Sequence, residues 1–162
     1  MISTTVGTRQ FNLRAAAVIL DGSRILLHQM EGDRFWSLPG GRVEGGETAS
    51  SAVVREMEEE LAEPVVCGEL LMVVENFFTY RGAQHHELGL YFCAALDSTS
   101  RLLTSPGPFF GVESHTRLTF AWFERSELSN IDLRPACLAE ALAEPEVRLR
   151  HIVHQSENER SG

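Results

Sequence analysis

Two apolar runs, AAAVIL at 15–20 and RILLHQM at 24–30, meet across Asp21-Gly22. An Asp-Gly pair between apolar segments is a strong short-range hairpin signal, because the tight turns that suit twisted strands need positive φ. The hairpin commits the first part of the chain to a sheet. Further on, VVCGELLMVVENFFTY (65–80) and HELGLYFCAAL (86–96) read as long strands joined near Arg81-Gly82. FAWFE (120–124) reads as a shorter strand and VRLRHIV (147–153) as a last one. Residues 48–61 carry helical periodicity, and PACLAEALAE (135–144) reads as a helix with Pro in its first turn. FWSLPGG (35–41) is a short apolar segment broken by Pro39 and two glycines, and SPGPFFGVES (105–114) reads as a loop. The expectation is an α/β chain: a mixed sheet with at least two helices packed on it.

At 162 residues, 43% hydrophobic and 23% charged, the chain suffices for a buried core and suggests one domain over 1–162, with a mobile polar tail at 155–162. The net charge of −9 argues against a nucleic-acid polymer as partner, since phosphate neutralisation needs a basic patch. Cys67, Cys93 and Cys137 are widely spaced and lack a C-x-x-C pattern, so buried free thiols in a reducing cytosol are expected. The N-terminus shows no signal-peptide core, and no apolar run approaches the ~20 residues of a membrane helix. A cytoplasmic protein with no membrane partner is the expectation.

The chemistry concentrates in GGRVEGGETASSAVVREMEEEL, residues 40–61. On a helix, Val53, Met57 and Leu61 form an apolar stripe, whereas Glu56, Glu59 and Glu60 share another face and Glu58 points to solvent. Ala49 and Ala52 lie on the side of Glu56, small enough for a ligand or loop to approach. Such a run alone is most often a solvated face, and a Gly-rich stretch most often a turn. Together they suit a hard divalent cation, which takes oxygen ligands and turns carboxylate repulsion into attraction. A loop through Gly40, Gly41, Gly45 and Gly46 can fold back and offer a backbone carbonyl. Arg55 is within reach of Glu59 and of Glu47, and Thr48 is a plausible N-cap.

This stretch resembles the signature of the Nudix hydrolase family, G-x5-E-x7-R-E-U-x-E-E-x-G-U. It runs from Gly41 through Glu47, Arg55-Glu56, Met57 and Glu59-Glu60, and departs only at Ala62 and Glu63. FWSLPGG before the box and AWFERSEL after it extend the likeness over most of the chain. The resemblance implies an α/β/α sandwich around a mixed β-sheet. It also implies a Mg²⁺- or Mn²⁺-dependent hydrolase acting on a nucleoside diphosphate linked to another group. By position, Glu56, Glu59 and Glu60 would bind metal with the Gly41 carbonyl, while Arg55 and Glu47 form a supporting ion pair. By the same resemblance, Glu59 or a carboxylate outside the box would act as general base. Water is the nucleophile, consistent with the lack of a G-x-S-x-G motif. A catalytically silent nucleotide-binding or regulatory module on the same fold is the alternative, though the acids at 56, 59 and 60 are intact.

Outside the box, Glu113 is the first candidate for a further ligand or base and Glu87 the second; each also reads as an exposed acid. His85, His86 and His115 suit phosphate binding or a surface role. Phe35, Trp36, Phe77, Phe78 and Tyr80 suit stacking on a base or, more ordinarily, packing. Selectivity lies outside the box, so the substrate stays open among nucleoside triphosphates, ADP-ribose, other nucleotide sugars and dinucleoside polyphosphates. A homodimer is open too, since many Nudix relatives dimerise.

Overall fold

The computed structural model describes residues 1–144, 146 and 149–156. Its strands are β1 (Ser3–Val6), β2 (Arg9–Asp21), β3 (Arg24–Met30), β4 (Gly40–Arg42), β5 (Val65–Tyr80), β6 (Ala83–Leu96), β7 (Phe109–Glu113), β8 (Thr116–Glu124) and β9 (Arg150–Gln155). The helices are α1 (Ala49–Leu61), α2 (Arg101–Thr104) and α3 (Cys137–Ala143), with a 3₁₀ turn at Arg125–Asn130. The sheet runs β7-β8-β3-β2-β6-β5-β9, with β1 and β4 also paired to β2. It is mixed: β2–β6 and β5–β9 are parallel, whereas β5–β6, β3–β8 and β7–β8 are antiparallel.

Strand alternation on β2 builds two cores from one apolar run. Ala15, Ala17 and Ile19 face α1 and pack with Val53, Met57 and Leu61; Ala16 and Val18 face α3 and pack with Leu138 and Leu142. A strand buried on both faces needs a layer on each side, which is the α/β/α arrangement. The hairpin forms with Gly22 at φ 59°, but its arms pair only at Leu20↔Ile25 and Asp21↔Arg24. Farther from the turn, residues 37–42 enter between them. Ser37 bonds both backbone groups of His28, Ala17 N–H donates to Pro39 O, and β4 pairs with Arg14–Ala16 of β2. A Cβ on Gly40 would lie 2.3 Å from the Ala15 carbonyl oxygen, so this insertion needs glycine.

Two local expectations are corrected. Residues 109–113, expected within a loop, form edge strand β7, because Phe109 and Gly111 turn inward against the core while Phe110 and Val112 face out. β1 was not expected; Ser3–Val6 pairs with Arg9–Asn12 of β2. β3 and β5 match the runs that signal them, whereas β2, β6 and β8 begin earlier, since backbone pairing continues past the buried positions; of the strand expected at 147–153, β9 takes Arg150 onward and 147–148 lie outside the described residues. Of the polar tail, Gln155 closes β9 and Ser156 N–H donates to Phe77 O, while 157–162 lie outside the described residues.

Thr48 caps α1, accepting from Ser51 N at 3.1 Å. The helix ends on Ala62 in the left-handed region, φ 54° and ψ 37°, its N–H bonded to Glu58 O. Glu63 then takes a buried place where the Nudix pattern has an aliphatic residue. Its carboxylate accepts from Ser100 Oγ (2.6 Å) and Arg101 Nε (2.9 Å) at the start of α2, and Arg101 also bonds Leu61 O. The departure thus exchanges an apolar contact for an ion pair that closes the helix end. Because the left-handed conformation strains any residue with a Cβ, Ala62→Gly is expected to raise unfolding stability by about 0.5–1 kcal/mol; chemical denaturation measures it.

Candidate active site

The loop before α1, the helix itself and the end of β7 meet at a cavity of about 670 Å³. Arg55 organises the first two. Nε and Nη2 hold the Glu47 carboxylate at 2.9 and 3.0 Å, Nη1 reaches Glu56 Oε1 at 2.8 Å and Glu59 Oε2 at 3.0 Å, and Nη2 also donates to Arg42 O at 3.2 Å. A guanidinium has five N–H groups, and all five are used here. Loop, β4 and helix are thereby tied at one point. Its hydrogen bonds hold the Glu47 carboxyl below the ordinary glutamate range. Glu56 moves the other way: burial and then the charge of Glu60 raise it, against the Arg55 hydrogen bond.

Glu56 packs directly on the glycine loop. A Cβ on Gly41 would sit 2.3 Å from Glu56 Oε1, so any other residue there would displace the carboxylate. Gly41 pairs with Ala15 in the β4–β2 ladder. Glu60 lies deeper, 4% exposed, with neither oxygen hydrogen-bonded; His28 Nδ1 stands 3.6 Å from its Oε2. Glu59 is exposed apart from its bond to Arg55, and Glu58 faces solvent.

β7 brings the remaining acid. A Cβ on Gly111 would lie 2.1 Å from the Glu60 carbonyl oxygen, so glycine lets β7 run against the C-terminal part of α1. Two residues on, Glu113 reaches the cavity lining beside Glu56, Glu59 and Glu60. Its side chain makes no hydrogen bond or ion pair among the described residues, and the turn after it carries Ser114 and His115 at φ 45° and 76°.

Among the described residues, no three His, Cys, Asp or Glu side chains stand close enough to hold a metal ion by themselves. Glu56 and Glu59 lean to Arg55, and Glu60 faces His28. The donor set still fits a hard cation. A buried carboxylate with two unbonded oxygens beside a second, partly desolvated one leaves hard oxygen acceptors without donors, and an ion completed by substrate phosphates needs no closed protein cage.

The cavity floor is polar and comes from four strands in one register. Asn12, Glu87, Asn76 and His154 are successive partners across β2, β6, β5 and β9, and all four line the cavity. Asn76 is 6% exposed and its Oδ1 has no partner. Burial pushes the Glu87 carboxyl up, against the pull of Arg14 and Arg42. Arg14 donates to Leu38 O; burial opposes its charge, but Glu87, Tyr91, Glu60 and Glu113 hold it above the ordinary arginine value.

His85 lines the cavity, stacks on Phe78 at 4.9 Å and bonds Asn12, whereas His86 stacks on Phe77 at 4.3 Å and His115 is exposed on its turn. Phe35 and Tyr80 line the cavity, while Trp36 packs edge-on against Phe123 in the core facing α3. The sequence reading missed Asn12, Arg14, His28 and Asn76. Their signal was polar residues at core-facing alternations of otherwise apolar strands.

Because Glu47 titrates low when folded, its ionised form stabilises the fold above the ordinary glutamate range and loses that contribution as pH falls through it. Wild type and Glu47→Gln should therefore differ little in stability at acid pH, with the gap opening toward neutrality; urea unfolding at several pH values measures this. Arg55→Lys, which lacks the fork, is expected to lower stability by about 1–3 kcal/mol.

The NUDIX domain family matches residues 11–144. A MutT NUDIX hydrolase from Burkholderia pseudomallei is 25% identical, with TM-score 0.63 over 85% of this chain and 100% of its own. An ADP-ribose pyrophosphatase from Streptococcus suis (20% identical, TM-score 0.56, 86% and 98% covered) shares the fold. So does a UDP-X diphosphatase (20% identical, TM-score 0.59, 91% and 69% covered). No curated protein matches the chain. With the family match spanning most of its length, and the box acids gathered at one cavity, this chain belongs to the Nudix hydrolase family.

Proposed function

We propose that the chain hydrolyses the pyrophosphate linkage of a nucleoside diphosphate joined to another group, using Mg²⁺ or Mn²⁺. The observation that carries this reading is Glu60: a buried carboxylate, without a hydrogen-bonding partner, at a cavity shared with Glu56, Glu59 and Glu113. Glu56, Glu59, Glu60 and the Gly41 carbonyl would hold the cation. When bound, it would neutralise phosphate oxygens and lower the pKa of a coordinated water.

The chain's own residues do the rest. Arg55 keeps Glu56 and Glu59 in fixed rotamers, and Glu47 anchors Arg55. Glu59 has one oxygen on Arg55 and an exposed flank, and Glu113 has no partner among the described residues; either suits acceptance of the proton from the attacking water. Water alone attacks phosphorus in line, so no covalent intermediate is needed.

The cavity is larger than a diphosphate requires, falling within the ~300–1,000 Å³ of ordinary ligand sites. Its lining includes the Asn12–Glu87–Asn76 row and the aromatic Phe35, Phe78 and Tyr80. A flat heterocycle or a sugar carrying hydrogen-bond donors would satisfy the unpartnered Asn76 oxygen. ADP-ribose belongs in the test with the nucleotide sugars, since one structural neighbour is named an ADP-ribose pyrophosphatase and another a UDP-X diphosphatase.

The test is phosphate and pyrophosphate release from nucleoside triphosphates, nucleotide sugars and dinucleoside polyphosphates, with Mg²⁺, Mn²⁺ or chelator. Release that needs the cation and falls by at least ~10²-fold in Glu59→Gln or Glu60→Gln is expected. Cation-independent release would refute the mechanism. With the best substrate, Asn76→Leu is expected to raise KM by roughly tenfold and leave kcat nearly unchanged; steady-state kinetics separates the two.

A further inference from the structure

Arg55 orients Glu56 and Glu59 but makes no bond to Glu60, the most buried of the three acids. What faces Glu60 is His28. On β3, Ile25 and Leu27 pack on the α3 side, whereas Leu26 packs on the α1 side. By alternation His28 shares the face of Leu26, at a position where an aliphatic residue would be the ordinary choice. It is 6% exposed, and its ring lies against Phe120 at 5.4 Å.

The imidazole has little freedom. Its backbone N–H and C=O are both bonded to Ser37, at 2.8 and 2.9 Å, and its Cα is paired with Phe120 on the other side. Nδ1 stands 3.6 Å from Glu60 Oε2, and neither Nδ1 nor either Glu60 oxygen has a hydrogen-bond partner. A donor and an acceptor left unbonded in a dry interior each carry a desolvation penalty, and the remedy is a movement of only ~0.6 Å to ordinary hydrogen-bond length. Such contacts at reaction sites are often long before ligands bind and tighten afterwards.

We propose that His28 is the positioning residue of Glu60: its Nδ1–H closes on Oε2 and fixes the carboxylate so that Oε1 faces the cation. His28, from β3, thus does for Glu60 what Arg55, from α1, does for Glu56 and Glu59. The inference rests on the cation-binding reading given under Proposed function. An imidazole suits the place better than a second arginine, because it fits among Leu26, Leu118 and Phe120 without bringing an obligatory charge.

The experiment uses Mn²⁺ alone, titrated into wild-type protein, His28→Phe, His28→Asn and His28→Gln and followed by electron paramagnetic resonance, with thermal melts of each without metal. Asn places a nitrogen donor where Nδ1 lies, Gln places it nearer Nε2, and Phe fills the space with no donor. The expected result is Mn²⁺ affinity near wild type in His28→Asn and lower by about 10–100-fold in His28→Gln and His28→Phe. A general packing defect would weaken Asn and Gln alike and would overturn the proposal, as would unchanged affinity in Phe. The Asn–Gln comparison stands even if the Phe variant fails to fold. Direct nitrogen ligation in the wild-type pulsed spectrum would overturn it in favour of His28 as a ligand. If wild type binds no Mn²⁺, the cation-binding reading itself falls, and this inference with it.

Discussion

One guanidinium sets the geometry on which this molecule depends. Arg55 spends all five N–H groups on partners from three segments: Glu47 in the loop, the Arg42 carbonyl on β4, and Glu56 with Glu59 on α1. A lysine could not satisfy that set, because it offers a point charge and no planar fork. The clamp sits at the rim of the cavity, not within the apolar core, so its worth lies less in stability than in holding two carboxylates in place. Glu60, which Arg55 does not bond, faces His28 on β3.

Close backbone approach is the second constraint. Gly40 lets β4 press against β2, Gly41 makes room for the Glu56 carboxylate, and Gly111 lets β7 run past the end of α1. Each replaces side-chain volume with a carbonyl or a carboxylate. Acids from a helix and an edge strand far apart in sequence consequently line one cavity.

The sheet serves two purposes along its length. Near the β2–β3 turn, alternation sends Ile19 to one core and Val18 to the other, and the strand is apolar throughout. At the opposite end the insertion of residues 37–42 parts the hairpin arms, and the same alternation carries Asn12, Arg14, Glu87 and Asn76 toward the cavity. Polar groups there still carry a cost of burial, seen in the raised Glu87 carboxyl and the unpartnered Asn76 oxygen, and they line the cavity. Where the chain departs from the Nudix pattern, at Ala62 and Glu63, the substitution is local: the buried Glu63 carboxylate finds Ser100 and Arg101, and the acids one turn earlier are undisturbed.

Much was legible before any coordinates. Helical spacing alone separates Val53, Met57 and Leu61 from Glu56, Glu59 and Glu60, and the turn signal at 21–22 with the long β-branched runs specifies the sheet. These are short-range properties, dictated by residue type and period. The spacing of the box determined the family for the same reason, because its acids must fall on adjacent turns of one helix. Sequence could not show that 109–113 is a strand, since an edge strand of Phe-Phe-Gly-Val-Glu between prolines and a turn carries no distinctive period. Nor could it choose between Glu113 and Glu87: both line the cavity, one beside the box acids and the other in the polar floor. The approach of His28 to Glu60, the Asn12–Glu87–Asn76 register and the five hydrogen bonds of Arg55 were settled only by tertiary structure. Each joins residues from different elements, and such contacts follow from strand order and helix docking, which no local pattern encodes.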